Sequence, residues 1–297
     1  PGYHLPIEIR RILACFPKIT FSCKQHDEDH YHISMNNHYL SPKGNIAKIQ
    51  NLEADYVKTA TASLTPKSML YTYTWGDTDF KSEHWRDEST KSKWTFSKGL
   101  KFTSIMTFPI PIVIDQDPGG LDKSFEYIGI DYSQLASLPT VNLLYMLSWD
   151  VMGFEEMSSY LAKSIEDFDK VGKFIIIDTI SNTYTHLEFG GCKQESIFRN
   201  GRFEAAYIGI STWKGRLGVI FEYKCLGKLE FYNAKDNANA KSQTCSSYYF
   251  GKIMLDLCSG ILLRGDMTEL VSGVVINKEN KGIPQQKRRF VQLELIK

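Results

Sequence analysis

The stretch TVNLLYMLSWDVMGFEEMSSYLAK, from Thr140 to Lys163, decides the fold class because it is the one long segment with a helical pattern. Its apolar residues recur every three or four positions, the spacing of one helix face, and they are Val141, Leu144, Tyr145, Leu147, Val151, Phe154, Met157 and Leu161. Short alternating runs separated by Gly, Pro, Asn and Asp flank it and predict β-strands. The sequence therefore predicts a mainly β protein, with two antiparallel β-barrel-like halves and one long central α-helix.

The strand pattern also predicts two parts of the chain, divided by a polar stretch that contains Asp167. Residues 1–170 would form a strand-rich N-terminal half that includes the helix at 140–163. Residues 171–297 would form a C-terminal antiparallel meander or barrel, since about eight strands with short links are enough to curl a sheet.

Glycine dipeptides predict where the hairpin turns lie. Asn200-Gly201 and Leu226-Gly227 each separate two alternating runs, and a further turn is predicted at Lys98-Gly99. Two-residue hairpin turns need positive φ, which glycine adopts without a steric penalty.

Bulk composition excludes several classes of protein. Lys and Arg number 35 against 34 Asp and Glu, so the formal net charge is +1 and the basic face of a nucleic-acid-binding protein is not expected. No apolar run reaches the roughly 18 residues that a transmembrane helix needs. The six cysteines form no CxxC pair and no Asn-x-Ser/Thr acceptor occurs, which favours reduced thiols and a cytoplasmic location, with secretion as the alternative. Composition does not indicate an oligomeric state.

Catalytic candidates are acids and bases near the predicted helix and in one charged segment. Asp150 lies at the edge of the apolar helix stripe, so burial would raise its pKa and suit it to general-acid catalysis; a solvent-facing or capping aspartate is the alternative. His84 and Arg86 belong to the segment EHWRDE, which would either line a cavity mouth or form an exposed loop with local ion pairs.

Aromatic residues make up 13% of the chain and supply the candidate ligand-binding residues. Aromatic side chains suit the half-buried surface of a strand, and they also line pockets for flat or apolar ligands. The residues expected at such a pocket are Tyr73, Trp75, Tyr145 and Trp149.

Histidines cluster near the start of the chain, in the segment HDEDHYH. His30 and His32 are two residues apart, so on a strand they would share a face and, with His26, could bind a metal ion. Tyr31 and Ile33 would then mark the core face, and a solvated hairpin explains the same pattern. No metal or other cofactor is expected under the leading hypothesis.

Two groups of charged residues have simple surface interpretations. Lys287, Arg288 and Arg289 are consecutive and indicate a solvated strand start. Glu155 and Glu156 indicate charges on the surface of the helix.

The plan of meandering strands with a helix laid against them resembles the broad lipocalin-type group of ligand-binding barrels. Some members of that group run two barrels in one chain and act as cofactor-free isomerases, hydratases or cyclases. The resemblance implies a protein that encloses an apolar or aromatic small molecule and supports non-redox chemistry on it. No nucleotide-binding glycine loop, nucleophile elbow or HExxH motif occurs, so two alternatives stay open, a non-catalytic lipid- or protein-binding module and a metal-dependent enzyme.

Overall fold

The computed structural model describes residues 28–65, 68–87, 90–97, 102–109, 126–127, 139–186, 195–232, 240–257 and 259–297. For residues 60–148 within these ranges the description is of the backbone alone, as it is at a few later positions. The described part is mainly β, as the alternating runs predict. No described helix is long and apolar enough to cross a membrane.

Fourteen strands and one α-helix make up the described elements. In chain order the strands are β1 (Glu28–Leu40), β2 (Ile46–Thr65), β3 (Ser68–Asp87), β4 (Thr90–Ser97), β5 (Phe102–Pro109), β6 (Glu126–Tyr127), β7 (Phe174–Ile176), β8 (Tyr184–His186), β9 (Ile197–Arg199), β10 (Phe203–Trp213), β11 (Arg216–Tyr232), β12 (Ala240–Asp256), β13 (Leu262–Asn277) and β14 (Gly282–Leu295). The helix α1 (Pro139–Lys163) lies between β6 and β7 and continues into a 3-10 turn, Ser164–Asp167.

All fourteen described strands belong to one antiparallel sheet, so the prediction of two barrel-like halves is wrong. The order along the sheet is β6-β5-β3-β2-β1-β14-β13-β12-β11-β10-β7, with β4 beside β3, and with β9 beside β11 and β8 beyond it. The first described strand pairs with the last over ten positions, from Tyr31 opposite Leu295 to Leu40 opposite Gln286. The strands before and after the helix therefore join edge to edge instead of each set closing on itself. The boundary predicted at residue 170 falls in the connection between the 3-10 turn and β7, and a division into two folding units stays a prediction.

Helix α1 forms where the sequence predicts it and lies against one face of this sheet, which we call the inner face. It is therefore not a central helix between two barrels. Val151, Phe154 and Leu161 are at most 1% exposed, which confirms the stripe for the part of the helix whose side chains are described. A Cβ placed on Gly265 of β13 would lie 2.7 Å from the ring of Phe154. Glycine at that position therefore lets the helix approach the sheet closely.

Strand parity sorts the residues of β1 as the sequence predicts. Tyr31, Ile33 and Met35 are at most 2% exposed on the inner face, and the rings of Tyr31 and Tyr56 stack with their centroids 5.1 Å apart. Tyr31 also donates a hydrogen bond to the carbonyl oxygen of Leu262, at 3.0 Å. Aromatic residues in the described strands thus form much of the core, which accounts for part of the unusual aromatic content.

Two of the three predicted hairpin turns do not form where they were predicted. Residues 197–199 and 203–213 both pair with β11, so the chain passes through Asn200-Gly201 without reversing. A Cβ on Gly201 would lie 2.2 Å from the carbonyl oxygen of Leu226, and this close approach explains the glycine. β11 likewise runs unbroken through Leu226-Gly227. The third predicted turn, Lys98-Gly99, lies outside the described residues, and the strands that flank it, β4 and β5, pair with different parts of β3.

Candidate functional site

A row of buried polar side chains crosses four neighbouring strands on the inner face, and we call it the polar row. It consists of Gln50 on β2, Asn37 on β1, Arg289 on β14 and Glu269 on β13, each opposite the next in register. Their exposed fractions are 4%, 0%, 9% and 9%, respectively. Side chains directly opposite each other on one face of a sheet have Cβ atoms about 5 Å apart, so these four groups form one continuous patch.

Arg289 is the centre of a hydrogen-bonded network that extends from the polar row to the helix. Its Nη1 donates to Oε2 of Glu269 at 2.9 Å, and its Nη2 donates to Oδ1 of Asp150 in α1. Oε1 of Glu269 accepts a further hydrogen bond from the hydroxyl of Ser247 at 2.5 Å. The guanidinium thus links a strand carboxylate to a helix carboxylate, and Asp150 is 9% exposed.

Burial and the neighbouring charges act differently on the two carboxylates. Burial raises the pKa of Asp150, and Arg289 only partly offsets that effect. Burial also works to raise the pKa of Glu269, but Arg289, Lys287 and the Ser247 hydrogen bond outweigh it and the pKa is lowered. The pKa values of two carboxylates that share one guanidinium are therefore shifted in opposite directions, an arrangement found where one carboxyl group acts as an acid and the other as a base.

Five buried polar atoms at the polar row form no hydrogen bond with any residue that the structure describes. They are Nδ2 and Oδ1 of Asn37, Oε1 of Gln50, Oδ2 of Asp150 and Nε of Arg289. A buried polar atom without a partner costs about 1–3 kcal/mol, and native proteins contain few of them. Several such atoms in one place are therefore not expected in a network whose only role is to stabilise the fold.

A second row lies next to the polar row on the inner face, towards the turn between β1 and β2. It consists of Lys48, Tyr39 and Lys287, which are opposite one another on β2, β1 and β14, and we call it the cationic row. Nζ of Lys48 lies 5.0 Å and Nζ of Lys287 lies 5.3 Å from the centroid of the Tyr39 ring. All three side chains are half-buried, so this row connects the buried polar row with solvent.

Burial shifts the pKa of each member of the cationic row. It lowers the pKa of Lys287 to about 7, with the positive charge of Arg289 as the second cause. Burial also lowers the pKa of Lys48, and it raises the pKa of Tyr39 to about 12. At neutral pH the phenol of Tyr39 therefore keeps its proton, while Lys287 titrates.

A second buried ion pair fixes the helix to the sheet away from these rows. Nζ of Lys58 on β2 lies 2.8 Å from both carboxylate oxygens of Glu155, and the two residues are 7% and 8% exposed. The interpretation of Glu155 as a surface charge is therefore wrong. Glu156 is half-buried, and burial raises its pKa to about 7.

The structure brings some of the sequence candidates near the two rows. Asp150 is a member of the network, and Trp149 precedes it as a half-buried residue of α1. The backbone of His84 lies opposite Lys48 in the β2–β3 register, which places it in line with the cationic row. Arg86 follows two residues later in β3.

The remaining ligand-binding candidates are positioned by backbone alone. Tyr73 and Trp75 of β3 lie opposite Lys58 and Tyr56 in register, and Tyr145 belongs to the first half of α1. The side chains of these three residues, like those of His84 and Arg86, lie outside the described residues. Their roles stay predictions.

The histidine segment lies on the opposite face of the sheet, which we call the outer face. Nδ1 of His32 lies 2.7 Å from Oδ1 of Asp55, and Nε2 of His30 lies 3.7 Å from Oε2 of Glu28. His26 lies outside the described residues. Among those that are described, no three His, Cys, Asp or Glu residues come together as potential metal ligands.

Sequence reasoning missed most of the polar and cationic rows, and it assigned Lys287 and Arg289 to a solvated strand start. Arg288 is exposed on the outer face, but Arg289 is buried. One signal was available in β14: Gln285, Lys287 and Arg289 share strand parity with apolar positions that follow in the same strand, which are Val291, Leu293 and Leu295. Polar residues that continue a core face are candidates for a buried site.

Comparisons with known proteins do not identify a family. No protein-family model and no curated protein matches the chain. A Bacteroides fragilis protein with a YmcC-like fold aligns over 93% of this chain and 98% of its own, at 10% identity and a TM-score of 0.21. The binding domain of botulinum neurotoxin DC, solved with rat synaptotagmin II, aligns over 89% and 78% at 9% identity and a TM-score of 0.12. Superpositions with such low TM-scores carry neither fold nor function to this chain.

Proposed function

We propose that the protein binds a small organic molecule on the inner face of the sheet, at the polar row, and catalyses a cofactor-free, non-redox step on it. Isomerisation, cyclisation and hydration (which adds water) are steps of this type, since each can proceed by acid–base catalysis without any transfer of electrons to a cofactor. The observation that carries the proposal is the group of five buried polar atoms around Arg289 and Asp150 that form no hydrogen bond with a described residue. A bound molecule with its own donors and acceptors would satisfy them.

Asp150 is the general acid in this proposal. Its Oδ1 is engaged by Arg289, whereas its buried Oδ2 makes no hydrogen bond to a described residue. The raised pKa favours the protonated form more than in an exposed aspartate. Oδ2 can therefore hold a proton and transfer it to a ligand, which is the role expected of a desolvated carboxylic acid.

Asn37 and Gln50 are the binding residues of the proposal. Their side-chain amides offer both donors and acceptors, and their burial would hold those groups in place for a ligand. Such groups provide specificity, because a ligand that cannot pair with them leaves them unsatisfied.

A thermal-shift screen of uncharged, anionic and cationic small molecules, followed by NMR of each hit over time, tests the proposal. A hit should raise the melting temperature of the wild type, and its NMR signals should be replaced over time by those of a product. Asp150→Asn should keep the melting-temperature shift and reduce turnover by about 10²–10⁴-fold. The control Asp167→Asn removes an exposed carboxylate from the 3-10 turn and should change neither quantity. A hit whose turnover survives in Asp150→Asn removes Asp150 from the mechanism.

The outer face favours a second candidate function, a non-catalytic module that binds another protein. Leu226, Tyr248 and Leu270 lie opposite one another on β11, β12 and β13 and are 59%, 37% and 40% exposed. Phe290 of β14, on the same face, is 41% exposed. Adjacent exposed apolar residues of this kind are typical of protein-binding surfaces. Concentration-dependent sedimentation would show that the bound protein is a second copy of this chain, and together with a screen without hits it would favour this function over catalysis.

A further inference from the structure

We propose that the molecule bound at the inner face carries an oxyanion, a carboxylate or a phosphate, and that Lys48 and Lys287 bind it from the two sides of Tyr39. The inference rests on the proposed function, because it names the class of ligand for the same face. It goes further by assigning a specific anion-binding role to the cationic row.

The geometry places two ammonium groups close to a single phenol. Lys48 and Lys287 are the direct cross-strand neighbours of Tyr39 on either side, and both Nζ atoms lie about as far from its ring centroid, 5.0 and 5.3 Å. Both Nζ atoms lie over the Tyr39 ring, and a change of side-chain rotamer in each lysine would let an oxyanion next to the Tyr39 hydroxyl accept hydrogen bonds from both. Charge-assisted hydrogen bonds of this kind are roughly twice as strong as neutral ones.

The charges of the described side chains around the two rows do not balance. Lys48, Lys287 and Arg289 are the cations, and Asp150 and Glu269 are the described acids of the network. Both acids pair with Arg289, and neither lysine has an ion-pair partner within 4.0 Å among the described residues. Half-buried lysines without counterions are costly, so a bound anion would relieve the cost that their lowered pKa values reflect.

Neutral donors next to the lysines would complete the site. The Tyr39 hydroxyl keeps its proton at neutral pH, since its pKa is raised to about 12, and it can donate to an anion. Asn37, two residues earlier on the same face of β1, is 0% exposed and its Nδ2 has no partner among the described residues. A small anion could therefore contact donors on both rows while the rest of the molecule reaches Asp150.

The position of the cationic row in the sheet allows a ligand to enter. Tyr39 is the second-last residue of β1 and Lys48 is the third residue of β2, and the exposed turn 42–45 connects the two strands. The row is half-buried, whereas the polar row behind it is buried. The proposed anion would thus lie at the entrance, with its organic part directed inward.

Anion binding should depend on pH through Lys287. Among the described residues, the charged groups that act on Lys287 are Arg289 on its own strand, Lys48 on β2, Glu269 on β13 and Asp150 on α1, and the ring of Tyr39 on β1 lies next to it. The pKa of Lys287 is about 7 without ligand. Below that pH the lysine is already charged and the anion binds most tightly. Above that pH the lysine must first be protonated, which weakens anion binding. Affinity should fall as pH rises from about 6 to about 9.

Isothermal titration calorimetry with benzoate, inorganic phosphate and uncharged benzamide tests the inference. We expect saturable binding of at least one anion, with benzoate and phosphate distinguishing an organic carboxylate site from a phosphate site. Lys48→Gln and Lys287→Gln should each weaken that binding about tenfold, the size of one charge-assisted hydrogen bond. Lys252→Gln, which removes an exposed lysine from the outer face of the same sheet, should leave the affinity unchanged.

Two outcomes overturn the inference, and they differ in what they imply for the proposed function. If neither anion binds, or if both lysine variants bind as the wild type does, the cationic row is not an anion site. Benzamide or another uncharged hit that binds and is lost in Asn37→Ala would then leave the proposed function standing without an anionic ligand. If no molecule of any charge binds, both proposals fall together.

Discussion

Glu156 shows how strongly one residue of α1 can couple stability to pH. It is half-buried, and burial raises its pKa from 4.5 to about 7. The native state therefore holds the proton more tightly than the unfolded chain does. Between pH 4.5 and about 7 the native state binds more protons than the unfolded chain, so the free energy of unfolding falls as pH rises. Above about pH 7 the native state carries the full cost of the buried negative charge.

Replacing Glu156 by Gln should remove that penalty. We expect Glu156→Gln to raise the free energy of unfolding by roughly 1–3 kcal/mol at about pH 8, and to change it little at about pH 4, where the glutamate is already protonated. Urea denaturation of both proteins at the two pH values measures the difference. The control Glu279→Gln removes a surface pair with Lys281 and should have little effect at either pH. An equal gain at both pH values would mean that the amide packs better, and not that a charge was removed.

At the scale of single residues, sequence predicted faces better than it predicted burial. Alternation placed Tyr31, Ile33 and Met35 in the core correctly. Alternation also places Arg289 on the inner face, which makes it a candidate for burial, but it does not decide whether that end of the strand is exposed or covered. The cover comes from Asp150, which is 139 residues away in the chain. Asp150 was found as a candidate because its place on the helix stripe is a local property.

At the scale of elements, the contact between α1 and the sheet depends on buried charge as well as on apolar packing. Lys58 and Glu155 form an ion pair in which both side chains are buried. Such a pair contributes little net stability compared with apolar residues of similar size, but loss of one partner leaves an uncompensated buried charge. The pair therefore specifies where the helix lies more than it stabilises the fold.

A double-mutant cycle on this pair tests that view. Lys58→Met alone should lower the free energy of unfolding by about 3–5 kcal/mol, and Glu155→Leu alone should do the same. The double variant should recover most of the loss, since no buried charge then remains. Chemical denaturation of the four proteins gives the coupling energy. Losses that simply add in the double variant would show that packing of the two side chains, and not their charge, holds the helix in place.

The elements themselves were largely predictable, and the connections between them were not. The period of apolar residues is a local signal, and it predicted the helix and the mainly β character of the rest of the described chain. Gly201 and Gly227 were assigned to turns because glycine permits positive φ, but in the structure they allow close approach within continuous pairing. A Cβ on Gly227 would lie 2.7 Å from the ring of Phe198. Glycine is required both for positive φ in a turn and for close approach of a neighbouring strand. Which of the two applies depends on neighbours that are distant in the chain.

At the scale of the whole molecule, pairing of β1 with β14 determines the architecture. Every described strand before the helix connects to those after it through this one seam. The backbone edges that join there have no side-chain signature, because any strand edge offers the same N–H and C=O groups. This is why alternation predicted the strands and yet suggested two closed halves.

The seam also predicts how the molecule unfolds. Arg289 of β14 and Lys58 of β2 bind the same helix, so α1 ties together strands on both sides of the seam. Opening the β1–β14 ladder would expose Ile33, Leu293 and their neighbours to water, and it would break at least one of the two ion pairs, because the helix could stay with only one side of the seam. A cost of that size favours one cooperative transition over the independent unfolding of residues 1–170 and 171–297.

Native-state hydrogen exchange at increasing denaturant tests this cooperativity. Ser34→Pro removes an N–H from the middle of β1, opposite Gln292, and should lower the free energy of opening by roughly 3 kcal/mol. In one cooperative unit, protected amides of β2 and of distant β12 should lose that amount equally. The control Lys278→Pro introduces proline in the exposed turn between β13 and β14, outside the β1–β14 ladder. It should leave the opening free energies of both β2 and β12 nearly unchanged. Protection that falls in β2 but persists in β12 would divide the sheet at the seam, and the two parts of the chain would then fold as separate units despite sharing a single sheet.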